Sequence, residues 1–434
     1  MIGFYNFHVP GLIIRDPELI KTVMLTEFNN FDKNTSSLDP HLEPLLTTNP
    51  FFTSGLEWKT NRAILVNALS GCRLKHIALQ LQTVCDKFSN YIEEQTSMSD
   101  GNFSVNIKQL MSCFTAEFVA IAAFGIDGKS FTNESETFAQ TVKSMFPPVG
   151  AGEIIGITTF FLPFLAKILR IRFMPKNIDN YFRQIINCVL QHREDTGEIA
   201  QDFLQKVVEL CKTGKDNEVN ENAVASHAAS FFLDGYETSS VTLSFVTYQL
   251  AAHPTVQAKL REEIMNNFEK YNGKLTYEFI QEMKYMDQVI KESMRLTPTI
   301  PYFAKICTTE FKLVGYDGLE CIVHAGTEII ISTIGLHRDP TFWENPDVFD
   351  PERFSDDKRR NYHKFIYLPF GSGPKSCVGM RIAMMQMKAA LATLLKSYSI
   401  ELDPKTNEPV GIHRLSGLIA APNNELWLRI KSIK

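Results

Sequence analysis

The sequence predicts a mainly α-helical fold with a minor β portion. Apolar residues recur at helical spacing through most of the 434 residues, and the longest such stretch, 222–252, would form a helix about 45 Å long. Strand-like alternation is confined to short segments near the two ends and over residues 311–334. Since no repeat or low-complexity linker divides the chain, we expect a single domain over residues 1–434.

Each predicted element follows from a local sequence pattern. Alternation before Pro17 predicts a strand pair, and proline in the first turn begins a helix over 17–28. Glycine-punctuated alternation predicts a small β region over 311–334, a proline-rich coil covers 338–370, and a hairpin over 411–430 follows. Helical spacing predicts the remaining helices over 58–69, 74–94, 105–124, 222–252, 275–296 (one or two helices) and 381–397.

Composition excludes several classes of protein. Apolar residues make up 44% and charged residues 21% of the chain, which excludes a disordered protein. A net charge of −5 argues against a general nucleic-acid binder. The eight cysteines form no C-x-x-C pair, which argues against a zinc ribbon, a redox pair or a disulfide scaffold, and we expect reduced intracellular thiols. No histidine pair has metal-ligand spacing, and we expect capping or core positions for His227, His253 and His337.

The most apolar stretch of the chain is residues 154–171. Pro163 interrupts it, and Lys167 and Arg170 lie inside it. These features favour a buried or membrane-surface segment over a spanning helix. Residues 1–27 carry neither a signal-peptide pattern nor a span of about 20 apolar residues, so this part of the sequence predicts neither a membrane nor a secretory route.

Cys377 is the residue with the sharpest chemical context. It follows a glycine-rich segment, is followed by Gly379, and directly precedes the helix predicted over 381–397. Backbone N–H groups and the helix dipole stabilise a thiolate at such a position, and glycines allow a close approach of the backbone. We therefore predict that Cys377 acts as a thiolate, whereas the other seven cysteines are structural.

The segment around this cysteine, Phe-Gly-Ser-Gly-Pro-Lys-Ser-Cys-Val-Gly, resembles the haem-binding signature F-x-x-G-x-R-x-C-x-G of the cytochromes P450. Phe370, Gly373, Cys377 and Gly379 match, and Lys375 stands where the family usually has arginine. The resemblance implies a helical bundle around haem b, with Cys377 as the axial ligand of the iron and Phe370 and Lys375 beside the haem. Because lysine lacks the planar fork of arginine, we expect haem to bind less tightly.

Three further motifs follow in the order of the family. Glu292 and Arg295 resemble the E-x-x-R pair, and the segment Phe-Asp-Pro-Glu-Arg-Phe supplies Arg353, which the resemblance places in one buried network with them. Loss of one member of such a network costs roughly 3–5 kcal/mol. Trp58 and Arg62 resemble the W-x-x-x-R motif whose members bind a haem propionate, and their spacing puts them on one helix face.

The long predicted helix carries the sequence Asp-Gly-Tyr-Glu-Thr-Ser, which resembles the oxygen-binding motif of the family. Gly235 and the Thr238 hydroxyl would open the helical ladder locally. The resemblance implies that Thr238 hydrogen-bonds dioxygen and water and that Glu237 relays protons from solvent. Asp234 stands where alanine or glycine is usual, and two hypotheses stay open: a covalent bond to haem, as a glutamate makes in one fatty-acid-hydroxylating branch, or a pairing with a neighbour.

The resemblance covers nearly the whole chain and is greatest to the insect microsomal branch that includes detoxifying enzymes. It implies a monooxygenase that inserts one atom of O2 into a small lipophilic xenobiotic, lipid or hormone. Electrons would come from NADPH through NADPH–cytochrome P450 reductase, with cytochrome b5 as a further partner, at the cytosolic face of the endoplasmic reticulum. Members of the branch begin with a membrane anchor that we do not find here, so we expect an anchor-less isoform or an incomplete gene model with peripheral membrane contact through residues 154–171.

Two further predictions concern a basic segment and the segments that contact the substrate. Residues 358–388 hold seven lysines and arginines and no acidic residue, which indicates either a solvated face or a docking surface for an acidic electron donor. Substrate contacts are expected from 34–52, 146–173, the Phe231 and Phe232 side of the long helix, 299–303 and 416–419.

Other functions remain possible on the sequence alone. A haem-thiolate isomerase or dehydratase would share the fold but need no reductase, and dependence on oxygen and NADPH would distinguish it. A non-catalytic haem-binding or haem-free relic is the alternative from a different class. A helical scaffold protein without a cofactor is the third.

Overall fold

The computed structural model describes residues 1–6, 9–132, 134, 137–143, 145, 154–156, 158–159, 162–213, 218–315, 318–413 and 416–433. Within them it is mainly helical with a smaller strand content, as predicted. The helices are α1 Pro17–Lys21, α2 Gly55–Ala68, α3 Gly71–Met98, α4 Ile107–Phe124, α5 Phe138–Lys143, α6 Pro163–Leu169, α7 Lys176–Thr196, α8 Phe203–Leu210, α9 Glu221–Ala252, α10 Pro254–Lys270, α11 Tyr277–Glu282, α12 Lys284–Leu296, α13 Thr333–His337, α14 Asp356–Arg359 and α15 Met380–Ser397.

The strands form two main sheets and two hairpins. Their bounds are β1 Ile2–Asn6, β2 Val9–Ile14, β3 Lys33–Asn34, β4 Asn102–Asn106, β5 Lys212–Thr213, β6 Glu218–Val219, β7 Tyr302–Ile306, β8 Phe311–Val314, β9 Glu320–Val323, β10 Glu328–Ser332, β11 Tyr398–Leu402 and β12 Trp427–Ser432. One sheet has the order β1-β2-β10-β7-β3, and the other has the order β11-β12-β4. Among the strands of the described residues, β10 and β2 are the one parallel pair, and they join the start of the chain to the glycine-punctuated region.

Most predicted elements are confirmed, including the strand pair before Pro17 and two helices in 275–296. The hairpin predicted over 411–430 is wrong, because β12 is the one strand among the described residues of this range and it pairs with β11 and β4. Pro409 and Pro422 lack the N–H that a ladder requires, and a single bridge between Ile412 and Pro422 is what remains. The helix predicted over 17–28 is also shorter: α1 ends at Lys21 and continues as a π turn, Thr22–Thr26.

The centre of the fold is α9, which is buried along most of its length and packs against α4. Asn220 caps its first turn, since the Oδ1 atom accepts from the N–H of Ala223 at 3.1 Å. The helix ends at Ala252, before Pro254. Among the described residues, α4 is the one helix long and apolar enough to cross a bilayer, and most of it is buried inside the protein.

A buried ion network ties α12 to the coil that follows α13. The Glu292 carboxylate accepts from Arg295 at 2.8 and 2.9 Å and from Arg353 Nε at 3.3 Å. Arg295 Nη1 also donates to the carbonyls of His337 and Pro346, at 2.8 and 2.7 Å. Glu292 and Arg295 are fully buried, so the predicted network is confirmed.

Candidate functional site

The Cys377 loop is held against the turn that follows α1. Gly371 and Gly373 have positive φ angles of 67° and 70°. A Cβ atom on Gly373 would lie 1.9 Å from the carbonyl oxygen of Met24, so only glycine fits. The Cys377 N–H donates to the Phe370 carbonyl at 2.8 Å, which closes the loop just before α15. This geometry aims the cysteine into the protein interior.

The sulfur of Cys377 receives two backbone hydrogen bonds but is not a thiolate through protein contacts alone. The N–H groups of Gly379 and Met380 lower the pKa of the thiol, as the helix N-terminus predicts. Burial and the charge of Asp234 outweigh them and raise that pKa to about 11. A coordinated metal ion would deprotonate the thiol, since coordination inverts this balance.

Cys377 and Asp234 line one solvent-accessible space inside the fold. Both side chains are exposed to a water-sized probe, although α9 is otherwise a core helix. Enclosure by protein nevertheless raises the pKa of both, that of Asp234 to about 6. Behind this space, Gln386 of α15 donates to the Gly235 carbonyl at 3.3 Å and to Ser239 Oγ at 2.7 Å. The two helices are therefore fixed on opposite sides of the cavity.

Three of the predicted haem-contacting residues meet at one rim of this space. Arg62 Nη2 donates to the Ser376 carbonyl at 2.8 Å, next to Cys377. Lys375 Nζ donates to the carbonyls of Thr53 and Pro50, at 2.6 and 3.3 Å, and lies 5.5 Å from the centre of the Trp58 ring. The buried Nε1–H of Trp58 has no hydrogen-bond partner among the described residues.

Lys305 is a fourth member that the sequence analysis missed. It lies in β7, is 4% exposed, and donates from Nζ to Asn34 Oδ1 at 2.8 Å. Burial and the nearby charge of Lys375 lower its pKa to about 7. The sequence does contain a signal for this residue, because Lys305 interrupts the apolar run Tyr-Phe-Ala-Lys-Ile-Cys. A lysine in such a run is expected to be buried, and a buried cation needs a counter-charge.

These residues fit the propionate side of a haem. Arg62, Lys305 and Lys375 form no ion pair with any carboxylate in the described parts of the chain, and the Trp58 N–H beside them is orphaned. Each cation donates to a backbone carbonyl or to Asn34, and both lysines sense the charge of Asp32, but the group stays positively charged beside an unpartnered buried donor. Such a group makes a site for anionic oxygens. Cys377 lines the same space, and its thiolate would be the protein ligand of the haem iron.

On α9, the two predicted catalytic residues have different surroundings. Thr238 Oγ1 donates to the Asp234 carbonyl at 2.5 Å, so it competes for the helical ladder as expected. Glu237 is instead mostly buried and forms an ion pair with Lys108 of α4 at 3.0 Å. Ser240 Oγ also donates to Glu237, at 3.4 Å. A proton-relay role for Glu237 stays a prediction.

The expected substrate segments are only partly brought together. A pocket is lined by residues of the segments 34–52, 299–303 and 416–419 and by one residue beyond them, Ala304; the others are Asn34, Ser36, Phe51, Tyr302, Phe303 and Leu418. Phe231 and Phe232 pack into the aromatic core, with ring centres 4.4 Å from Phe203 and 4.8 Å from Phe182, respectively. Of the segment 146–173, residues 146–153, 157 and 160–161 lie outside the described residues.

The basic segment 358–388 is not one surface. Lys375 points inward, and Lys388 is buried, where its Nζ forms an ion pair with Asp287 at 3.0 Å. The sequence analysis counted both in the basic segment but also placed Lys375 beside the haem. Only the surface assignment of Lys388 is wrong, because its long side chain reaches buried acceptors, the carbonyls of Ile280 and Met283 as well as Asp287. The five exposed cations are Lys358, Arg359, Arg360, Lys364 and Arg381.

The histidines occupy the predicted structural positions. His253 Nδ1 bonds the Gln249 carbonyl at 2.8 Å at the end of α9, and His337 Nε2 accepts from the Leu368 N–H at 2.8 Å. His227 is fully buried. Across the described ranges, no group of three or more histidine, cysteine or acidic side chains could hold a metal ion.

Comparison with known proteins agrees with this geometry. A family model described as "Cytochrome P450" matches residues 1–428. Similar relatives include "Cytochrome P450 6a2" of Drosophila melanogaster, 31% identical over 440 residues, which cover 100% of this chain and 86% of the relative. "Cytochrome P450 6l1" of Blattella germanica is 31% identical over 409 residues, 94% of this chain and 79% of the relative. "Cytochrome P450 9e2" of Blattella germanica is 30% identical over 455 residues, with 99% and 85% covered.

Proposed function

Since the chain belongs to the cytochrome P450 family of monooxygenases, we propose that it binds haem b through Cys377 and oxidises small lipophilic compounds with electrons from NADPH. The observation that carries the proposal is the accessible Cys377 thiol inside the fold, facing α9 and flanked by Arg62, Lys305 and Lys375, none of which forms an ion pair among the described residues. Bound haem supplies dioxygen activation, which a thiolate ligand favours. The protein supplies the ligand, the orientation and the protons.

Each residue of the site has a proposed role that follows from its position. Arg62, Lys305 and Lys375 would hold the propionates of a bound haem by their positive charge, and the unpartnered N–H of Trp58 would supply a further hydrogen bond. Thr238 holds a hydroxyl at the edge of the cavity, where it orders water for proton transfer. Glu237 and Lys108 form the charged pair next to it on the solvent side.

We also propose that the protein receives electrons from a reductase and attaches to a membrane surface. The five exposed cations of the segment 358–388 attract an acidic electron-donor protein such as NADPH–cytochrome P450 reductase or cytochrome b5. Helix α6 exposes Phe164 (77%), Ile168 (59%) and Leu169 (57%), and Lys167 lies among them. An apolar helix face with a flanking lysine suits peripheral attachment to a bilayer, here the cytosolic face of the endoplasmic reticulum.

The direct test is the reduced, carbon-monoxide-bound difference spectrum of the haem-loaded protein, followed by turnover with reductase. We expect the strongly red-shifted band of a thiolate-ligated haem and product formation that requires both O2 and NADPH. Product without O2 or NADPH would favour an isomerase or dehydratase. Folded protein that never acquires the band would favour the non-catalytic relic.

Replacing Thr238 with alanine is expected to uncouple the reaction. The haem spectrum and NADPH consumption should persist, while product falls by about 10-fold or more and hydrogen peroxide rises, because a proton donor has been removed. The matched control is Thr238→Ser, which retains the hydroxyl and should restore product. Equal product from Thr238→Ala and the parent would contradict the assigned role.

Replacing Lys375 with arginine is expected to slow haem loss about 3- to 10-fold. A guanidinium group can form two parallel hydrogen bonds to a carboxylate, whereas an ammonium group is a point charge. The rate is measured as transfer of haem to an excess of a competing apo-globin. Lys375→Gln, which removes the charge, should speed the transfer, and identical rates for all three proteins would place Lys375 outside the haem site.

A further inference from the structure

Asp234 is a carboxylate that the proposed reaction does not use. It lies in the middle of α9, where Leu233 and Tyr236 beside it are buried, and its own side chain is exposed to the internal cavity. The charge of Asp234 reaches Cys377, so the carboxylate faces the reaction space. A charged group in an enclosed space needs compensation from partners or from a ligand.

The protein compensates Asp234 only in part. Asn49 Nδ2 lies 3.3 Å from each of its two carboxylate oxygens. The amide is fixed in that orientation, because Asn49 Oδ1 accepts from the Phe51 N–H at 2.8 Å and the residue is 1% exposed. No lysine, arginine or histidine of the described chain forms an ion pair with Asp234. One neutral amide leaves most of the acceptor capacity of the carboxylate unused.

The residues around Asp234 indicate which chemical groups a bound ligand would carry. Asn49 contacts Asp234, and Phe51, two residues further on, lines the pocket whose apolar members include Phe303, Ala304 and Leu418. Arg62, Lys305 and Lys375 are cations assigned to the propionates, so they offer no partner to a positively charged ligand. A ligand with a cationic nitrogen and an apolar body therefore finds an anionic partner at Asp234.

From this arrangement we infer that Asp234 anchors a cationic nitrogen, so that the enzyme prefers lipophilic amines and ammonium compounds among its substrates. The inference rests on the proposed monooxygenase function and names its substrate class. Thr238 lies one helical turn further along the same face.

The test compares a cation with its neutral isostere on the haem-loaded protein. (4-Phenylbutyl)trimethylammonium carries a permanent charge and has no lone pair, so it cannot ligate the iron. In (5,5-dimethylhexyl)benzene a carbon replaces the nitrogen. Equilibrium dialysis should show that Asp234→Asn weakens binding of the cation about 10-fold or more, equivalent to about 1.4 kcal/mol. Binding of the isostere should change less than twofold.

A matched control separates this site from general surface charge. Asp100 is exposed in the turn after α3, and its φ of 49° suits asparagine, so Asp100→Asn removes one carboxylate without strain. It should leave both dissociation constants unchanged. Unchanged cation binding in Asp234→Asn overturns the inference. Haem that stays attached to the wild-type protein through acid-organic extraction also overturns it, because an esterified Asp234 carries no charge.

Two further outcomes keep the inference separate from the proposed function. If Asp234→Asn does not hold haem, the wild-type protein still decides the matter, since equal affinity for the cation and its isostere excludes an anchoring carboxylate. Turnover of a neutral substrate with an intact carbon-monoxide spectrum tests the monooxygenase proposal alone. The substrate preference can therefore fail while the enzyme activity stands.

Discussion

Replacing Cys377 with alanine is expected to abolish the red-shifted carbon-monoxide band and to lower product formation on the order of 10³-fold or more. The sulfur is the one proposed axial ligand at the inner end of the cavity, and the backbone N–H groups of Gly379 and Met380 point at it. No other described cysteine lies on that loop. The measurement is the reduced, carbon-monoxide-bound spectrum of both proteins at equal concentration.

Folding should survive this substitution. The Cys377 side chain is small and faces an accessible space, so alanine leaves no cavity in the packed core. The denaturant midpoint of the haem-free variant should therefore match that of the haem-free parent. Cys188→Ala, which removes an exposed free thiol on α7, is the matched control and should leave the band intact. A band that persists in Cys377→Ala would assign the ligand to another residue and overturn the proposed site.

Replacing Glu292 with glutamine is expected to lower the free energy of unfolding by about 3–5 kcal/mol. The carboxylate is fully buried and compensates both Arg295 and Arg353. Its loss leaves two buried guanidinium groups with backbone carbonyls as their main partners, which is costly in a low-dielectric interior. Since the free energy of unfolding of natural domains is only about 5–15 kcal/mol, much of the variant protein would be unfolded or lack haem.

The control for Glu292 is a surface ion pair of the same chemistry. Glu278 at the start of α11 pairs with Lys75 at 3.2 Å, and both side chains are more than half exposed. Glu278→Gln should change the unfolding free energy by less than about 0.5 kcal/mol, because exposed pairs are screened by solvent. Urea titrations of the three proteins measure the difference. Similar midpoints for Glu292→Gln and Glu278→Gln would show that the buried network is not structural.

The haem-side motifs could be predicted from sequence because each depends on local spacing. Gly373 admits no side chain beside Met24, and an i,i+4 pair such as Trp58 and Arg62 needs only a helix to share a face. Lys305 could not be found in this way. Its neighbours Asn34 and Lys375 are distant in the chain and meet it only through the β3–β7 pairing and the Cys377 loop.

Surface assignments failed for a related reason. The segment 358–388 contains seven lysines and arginines. Whether each side chain is buried depends on which helix packs over it, and Lys388 is buried because it reaches Asp287 on α12. The hairpin over 411–430 failed because the partners of β12 are β4 and β11, the first of them more than 300 residues earlier in the chain. Strand pairing over such distances is decided by the packing of the whole domain.

By itself, the sequence determined the mainly helical class, the long central helix, the cysteine loop and the ion network, since periodicity, glycine sterics and charge spacing act over a few residues. Tertiary structure alone decided which cations surround the cavity, that Glu237 pairs with Lys108, and that Asp234 faces the cavity with the Asn49 amide as its one hydrogen-bond partner in the described parts of the chain. Those features depend on contacts between distant segments, and the energy of a buried charge is set by everything packed around it.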